Sequence, residues 1–276
     1  MKLIFKTDIG SVTLSGSRDA DIVIKSIKGL GVLEKNYEYI CYYGMDGKTT
    51  LGSYFHSRII TLSCDIYNSN KLLVKQIMKT LYREGLLTVM NSHWQRCIKY
   101  KPLSFEFGEK HGPIQSFAFQ IECDNPYFTD VYYTQKDIYS RSKNITSPFT
   151  LPAVFSSRTY KSIIINNGDA PIYPKIIIKP ISNADASGVY TLTNLTTGNK
   201  ITLNLSISNG ETITVDVEER TITSSKKGNI INSLSDGAMS NFFLDTGKNE
   251  IEFACSNISV APHSTLLYRN NYMEAL

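Results

Sequence analysis

Four histidines, one pair of adjacent glutamates, one Asp-x-Asp spacing and five cysteines are the residues of this chain whose types could do chemistry. His56, His93, His111 and His263 lie in four separate segments. None belongs to an H-E-x-x-H run, which would set two imidazoles on one helical face around zinc, and none lies near a G-x-S-x-G serine. Neither a G-x-G-x-x-G turn nor a phosphate-cradling loop occurs. Asp19-Ala20-Asp21 has the opening spacing of a calcium loop but lacks the acidic and glycine positions that complete one, so it reads as a polar turn. Glu218-Glu219 is the nearest approach to a carboxylate pair. Glycoside hydrolysis needs two carboxyls facing each other across a cleft, whereas neighbours on a strand point to opposite faces, so this pair reads as a hairpin turn. Cys41, Cys64, Cys97, Cys123 and Cys255 are odd in number and form no C-x-x-C. They are expected to be free, reduced thiols, with Cys64 and Cys123 inside buried apolar runs. No catalytic, cofactor-binding or metal-ligating residue is assigned; the expectation is a chain without enzymatic activity and with no cofactor.

The elements around these residues are mainly β. In residues 1–65, Asp21–Ile27 and Arg58–Asp65 alternate apolar and polar positions. Tyr37–Tyr43 and Thr49–Tyr54 flank Gly44-Met45-Asp46-Gly47-Lys48 and read as a hairpin. One helix is expected, at about 68–83, with Asn68 or Ser69 as its cap and Gly85 as its stop. Val74, Ile77, Met78 and Leu81 form its apolar stripe, and Lys71, Lys75, Lys79 and Arg83 a basic ridge read as a solvated face. Strands follow at Leu86–Met90, Gln95–Tyr100, Leu103–Phe107 and Ile114–Cys123, the last stopped by Asn125-Pro126. From Ser162 to Tyr272 the chain is a series of short β-branched runs, including Pro174–Lys179, Gly210–Asp216, Ser240–Leu244 and Gly247–Phe253, punctuated by Gly, Asn and Asp turns.

With 276 residues and 42% hydrophobic content the chain can bury two ordinary cores. Residues 1–158 hold 20 Lys+Arg against 14 Asp+Glu, and residues 159–276 hold 9 against 11. The reversal of sign marks a boundary. The expected domains are 1–128, an N-terminal β-barrel or sandwich-like domain with one helix; 129–160, a linker containing Pro148 and Pro152; and 161–276, a C-terminal β-sandwich complete in itself. A net charge of +4 is too mild to imply a nucleic-acid partner. The apolar start Met1–Phe5 is too short for a signal peptide, and no run approaches the roughly 18 apolar residues of a membrane span.

The wording of the second half carries a resemblance. Cys123-Asp124-Asn125-Pro126-Tyr127-Phe128, then Ile165-Asn166-Asn167-Gly168-Asp169-Ala170-Pro171-Ile172-Tyr173-Pro174-Lys175-Ile176, Gly210–Asp216, Phe242-Phe243-Leu244-Asp245-Thr246-Gly247-Lys248-Asn249-Glu250-Ile251 and Leu267–Tyr272 together resemble the distal tail proteins of long-tailed phages. The resemblance covers about residues 120–276 in wording and residues 1–120 in layout. It implies a galectin-like C-terminal sandwich and an N-terminal domain that forms a hexameric ring. It further implies a structural hub at the virion tail tip, or in a phage-tail-like particle, made in the bacterial host cytoplasm. The implied partners are further copies of the chain, the tail tube protein, and a tail-tip or receptor-binding protein. Assembly is expected to lie in residues 1–150. The competing reading is a tail-tip carbohydrate-binding module or adhesin that stacks host wall glycan on tyrosines such as Tyr160, Tyr173, Tyr190, Tyr268 and Tyr272; Trp94 lies outside the sandwich.

Overall fold

The computed structural model describes residues 1–17, 20–67, 71–138, 140–143, 156–159, 161–180, 186–256 and 262–275. The expected helix cap at Asn68 or Ser69, Asp19, Pro148, Pro152 and Tyr160 lie outside the described residues. The chain divides into two compact units, Met1–Val131 with Asn271–Leu276, and Tyr132–Asn270.

The first unit holds β1 (Lys2–Thr7), β2 (Gly10–Ser15), β3 (Ile22–Lys28), β4 (Asn36–Ile40), β5 (Thr49–Tyr54), β6 (Arg58–Ile66), α1 (Lys71–Leu81), β7 (Gly85–Met90), β8 (Gln95–His111), β9 (Ile114–Cys123) and β10 (Phe128–Asp130). Seven strands close into a barrel in the order β8-β7-β1-β2-β3-β6-β9 and back to β8. All pairings are antiparallel except β2 with β3, which meet in parallel at the single pair Ser15↔Val23. Alternation fills the barrel: Leu3 and Phe5 from β1, Ile60 and Leu62 from β6, and Phe117 and Phe119 from β9 are at most 2% exposed. The Phe5 ring meets Tyr100 and Phe119 edge-on at 5.3 and 5.8 Å.

Ile77 and Leu81 of α1 are buried and Val74 packs on the same core, so the apolar stripe read from the sequence is the face laid against β1 and β2. Lys75, Lys79 and Arg83 are exposed, and Arg83 reaches Asp8 at 2.6 Å.

Two local expectations change. Gly85 was expected to stop the helix; instead it opens β7, where a Cβ would stand 2.3 Å from the Lys6 carbonyl oxygen, so the close approach of β1 selects it. The two strands expected on either side of Lys101 are one, β8. Its first half pairs with β7 and its second with β9, and Pro102 is accommodated at a register shift between Pro102 and Ser104.

The second unit holds β11 (Thr134–Asp137), β12 (Ser140–Lys143), β13 (Ser156–Thr159), β14 (Lys161–Asn166), β15 (Lys175–Lys179), β16 (Ala186–Asn194), β17 (Lys200–Ile207), β18 (Ile213–Asp216), β19 (Thr221–Ser224), β20 (Gly228–Asn229), β21 (Leu234–Asp236), β22 (Gly247–Cys255) and β23 (His263–Tyr268). It is a sandwich of a six-stranded sheet, β11-β23-β15-β18-β19-β20, and a five-stranded sheet, β14-β22-β16-β17-β21, with β12 and β13 as a separate ribbon. Ile176, Ile178, Leu192, Leu203, Val215 and Phe253 pack between the sheets. The expected strand at Ser240–Leu244 is a 3-10 turn, Met239–Asn241, followed by one bridge from Leu244 to Ile172.

The units are cut differently from the boundaries expected at 128/129, 160/161 and the C-terminus. β11 falls in the expected linker yet forms the edge of the six-stranded sheet against β23, and Ile138 joins the sandwich core. Asn271–Tyr272, expected to finish the sandwich, instead form β24 and pair with β10 of the first unit. The sandwich is therefore inserted into the first unit between Val131 and Asn271.

Candidate assembly surface

β4 and β5 make a two-stranded sheet of their own. Gly44 and Gly47 take φ of 76° and 94° in the connection between them, the left-handed region glycine enters without cost. Nearly every residue of both strands is exposed: Tyr37 is 58%, Tyr39 54% and Leu51 61% accessible, and Tyr43 in the connection is fully so. Glu38, Asp46 and Lys48 nearly balance in charge, and Lys48 Nζ stands 4.3 Å from the centre of the Tyr39 ring. A ribbon of two strands is marginal in water without a surface to cover one face. A concentration of exposed aromatic and aliphatic side chains marks such a surface.

The ribbon is rooted firmly. One root is the Gly29–Gly31 turn after β3. Gly29 has φ of 91°, and a Cβ there would stand 2.1 Å from the Ile59 carbonyl oxygen, so only glycine fits. The other root is Arg58, the first residue of β6, whose side chain is 0% exposed. Its Nη1 donates to the carbonyl oxygens of Gly29 and Gly31 at 2.5 and 2.7 Å, Nε to that of Pro126 at 2.8 Å and Nη2 to that of Met273 at 2.6 Å. The guanidinium lies 4.7 Å from the centre of the Phe128 ring. Burial pushes its pKa down to about 10, against a smaller opposing effect of Cys123. Arginine suits this place because a planar fork of five donors can satisfy several carbonyls at once.

The second unit is held at its loop end by asparagines. Asn249, 0% exposed, donates to the Asp245 and Gly247 carbonyls at 2.7 and 3.2 Å and accepts from the Asp245 N–H at 2.9 Å. Asn194 donates to the Phe243 carbonyl at 2.8 Å and to Asn249 Oδ1 at 3.2 Å. Asn166 donates to the Ala170 carbonyl and accepts from the Gly168 N–H, both at 2.9 Å. At a separate place the fully buried Glu211 accepts from Ser224 Oγ, from the Ser208 N–H at 2.7 Å and from Lys227 at 3.3 Å. Burial alone would raise its pKa, but these donors together hold it below the ordinary carboxylate value.

The residues weighed for chemistry do not converge. His56 stacks edge-on against Tyr54 at 5.0 Å, His111 lies 3.6 Å from Glu109, and His263 lies 3.4 Å from Asp137. Glu218 and Glu219 occupy the turn between β18 and β19, where the Glu219 N–H donates to Asp216. None of the five cysteines is bonded to another; burial pushes the Cys64 and Cys123 thiols up to about 12. Among the described residues no three His, Cys, Asp or Glu side chains group as a metal site, and no helix is long and apolar enough to cross a membrane. Of the tyrosines considered for stacking on sugars, Tyr190 and Tyr268 are buried, Tyr173 is 42% exposed, and Tyr272 lies in the first unit. The buried role of Arg58 was missed in the sequence, where it reads as one more strand residue.

Residues 167–272 match the family described as "Siphovirus-type tail component, C-terminal domain". No curated protein sequence matches the chain. Among solved structures, the SPP1 Dit (gp 19.1) protein, called a paradigm of the hub adsorption apparatus in Gram-positive-infecting phages, superposes with a TM-score of 0.66 at 11% identity, over 91% of this chain and 93% of that one. A chain of the phage P2 baseplate in its activated conformation with Ca superposes at 0.52 and 12% identity, over 98% and 97%. The same baseplate with Sr gives 0.51 and 13%, again over 98% and 97%. The asparagine-held loops around Asn166 and Asn249 fall within or at the edge of the matched family segment. Residues 167–272 thus match the C-terminal domain of the siphovirus-type tail component family, and the chain as a whole is similar in fold to the SPP1 Dit protein.

Proposed function

We propose that the chain is a scaffold of the virion tail tip that closes into a hexameric ring through its first unit and joins the tail tube to tail-tip or receptor-binding proteins. The observation that carries the reading is the β4–β5 ribbon, which leaves Tyr37, Tyr39 and Leu51 in solvent on an element with no cover of its own. A ring needs a heterologous contact, one patch on each subunit meeting a different patch on the next. A projecting apolar ribbon supplies one of the two patches. The fold shared with the SPP1 hub and with the P2 baseplate chain supports the place in the tail. No reaction, metal or cofactor is assigned. The inserted sandwich is read as the peripheral, partner-bearing unit and is not assigned glycan binding, since Tyr190 and Tyr268 are core residues. Negative-stain microscopy of the purified chain tests the reading: six-fold rings are expected, and they should be lost when Tyr39→Asp and Leu51→Asp are combined.

A further inference from the structure

Asn271–Ala275 leave the sandwich and return to the first unit, where they meet β10, Arg96 of β8 and the two roots of the β4–β5 ribbon. Phe128↔Tyr272 and Thr129↔Asn271 pair β24 with β10. Tyr272 Oη donates to Asp130 at 3.1 Å, and its ring lies 3.8 Å from the Arg96 guanidinium, which also donates to the Glu274 carbonyl. The Met273 carbonyl is the acceptor for Arg58 Nη2, and the Ala275 N–H donates to the Leu30 carbonyl at 2.8 Å. Ala275 and Leu30 are both buried, at 0% and 2% exposure. One root of the ribbon, Gly29–Gly31, is thus held by Arg58 and by Ala275. The other root is Arg58 itself, with Ser57 donating to Glu122 at 2.6 Å and Phe55 edge-on to Tyr127 at 5.9 Å.

We propose that Asn271–Ala275 are a strap that fixes the direction of the ribbon: they complete the acceptor set of Arg58 and clamp the Gly29–Gly31 turn. The ribbon is therefore presented for assembly only after the last-made residues of the first unit have docked. A buried guanidinium missing one acceptor carries an unsatisfied donor, and the cheapest relief is for the turn it holds to open. Because the sandwich is translated between Val131 and Asn271, the device orders events: the sandwich is synthesised before the ribbon is set. Its relevance to assembly rests on the ring reading above; the coupling itself does not.

Hydrogen exchange on the full chain, diluted below its assembly concentration, tests the coupling separately from the ring. Ala275→Glu places a carboxylate in a fully buried site and should undock the strap; Arg58→Lys keeps the charge but loses the fork. In both, amides of residues 29–34 and 55–58 should exchange about tenfold faster or more, while Leu87 and Val89 of β7 and Leu192 of β16 keep their wild-type rates. Wild-type protection at the roots in both variants would overturn the proposal. So would an equal rise through the roots and β7, because the strap would then be a general brace. If the roots loosen as expected but neither chain forms rings, the coupling stands and the ring reading fails; identical rings from both would overturn the strap's control of assembly.

Discussion

The two units solve the same problem, buried backbone polar groups in loops, with opposite reach. In the sandwich the principal asparagines serve mainly their own neighbourhood. Asn166 reaches Gly168 and Ala170, and Asn249 reaches Asp245 and Gly247, while Asn194, Asn270, Ser256 and Thr196 each link pairs of distant segments. In the barrel unit one side chain, Arg58, gathers carbonyls from residues 29, 31, 126 and 273. Local holding lets a loop form as soon as its own residues exist. Distant holding makes the barrel unit complete only when residues 29–31, 126 and 273 are all in place around Arg58. The consequence for fragments is direct. A chain ending near residue 150 lacks the acceptor at Met273 and the strand paired to β10, and a fragment starting at Lys161 lacks β11 at the edge of the six-stranded sheet. Cuts at residue 150 and at Lys161 would therefore pass through both units.

The largest effect is expected at the distant hub. Arg58→Ala leaves four carbonyl oxygens without their donor and a cavity beneath Phe128; the first unit should lose about 3–5 kcal/mol. Exchange in the second unit should be unchanged. Denaturant titration with exchange resolved by unit measures both, and an equal loss in the two units would erase the contrast between them.

Asn249→Ala is the matching cut in the sandwich. It removes hydrogen bonds to Asp245 and Gly247 and the acceptor used by Asn194, for about 2–3 kcal/mol. The loss should stay within loops 194–199 and 243–249; spread into β1–β9 would refute the local character assigned to this network.

Acid sharpens the comparison, since the hub arginine stays charged while Glu211 titrates. Its folded-state pKa lies below the ordinary 4.5, so its contribution is fully present above that value and is lost as pH falls through the folded value. The sandwich should therefore weaken below about pH 4.5, and Glu211→Gln, at a cost of about 2 kcal/mol at neutral pH, should flatten that part of the profile. An unchanged acid limb of the sandwich in the variant would refute this assignment. The first unit should show an acid limb of its own at Asp65, whose pKa is also held down: burial opposes this, but Lys25 and Ser116 outweigh it.

The smallest effect is expected on the helix. Lys75→Gln and Lys79→Gln change an exposed ridge and should move stability by no more than about 0.5 kcal/mol. A chelator should leave the unfolding midpoint of the whole chain where it is.

The same difference in reach decides what was legible in the sequence. Asn167-Gly168 and Gly247-Lys248-Asn249 announce turns because the residues that hold them are within a few positions, and the hairpin at Glu218-Glu219 is readable for the same reason. The stripe Val74, Ile77, Met78, Leu81 is local too. Arg58 is silent: nothing near Ser57-Arg58-Ile59 says that a guanidinium will be buried against carbonyls from distant segments. Residues 271–275 carry no alternation that would send them to the barrel, and β8 hides behind Pro102, which a single-strand reading would exclude. The exposure of Tyr37, Tyr39 and Leu51 could not be foreseen either, since an aromatic hairpin reads as core until the closed barrel is seen to form without it.

The molar mass of the full chain across a concentration series, measured by light scattering alongside the chain carrying Tyr39→Asp and Leu51→Asp, tests the proposed assembly most directly. The expected result is a wild-type particle of six times 31.0 kDa and a variant that stays at 31.0 kDa while keeping its secondary structure. A wild-type chain that remains a monomer at every concentration, or a variant that assembles as well as the wild type, would contradict it.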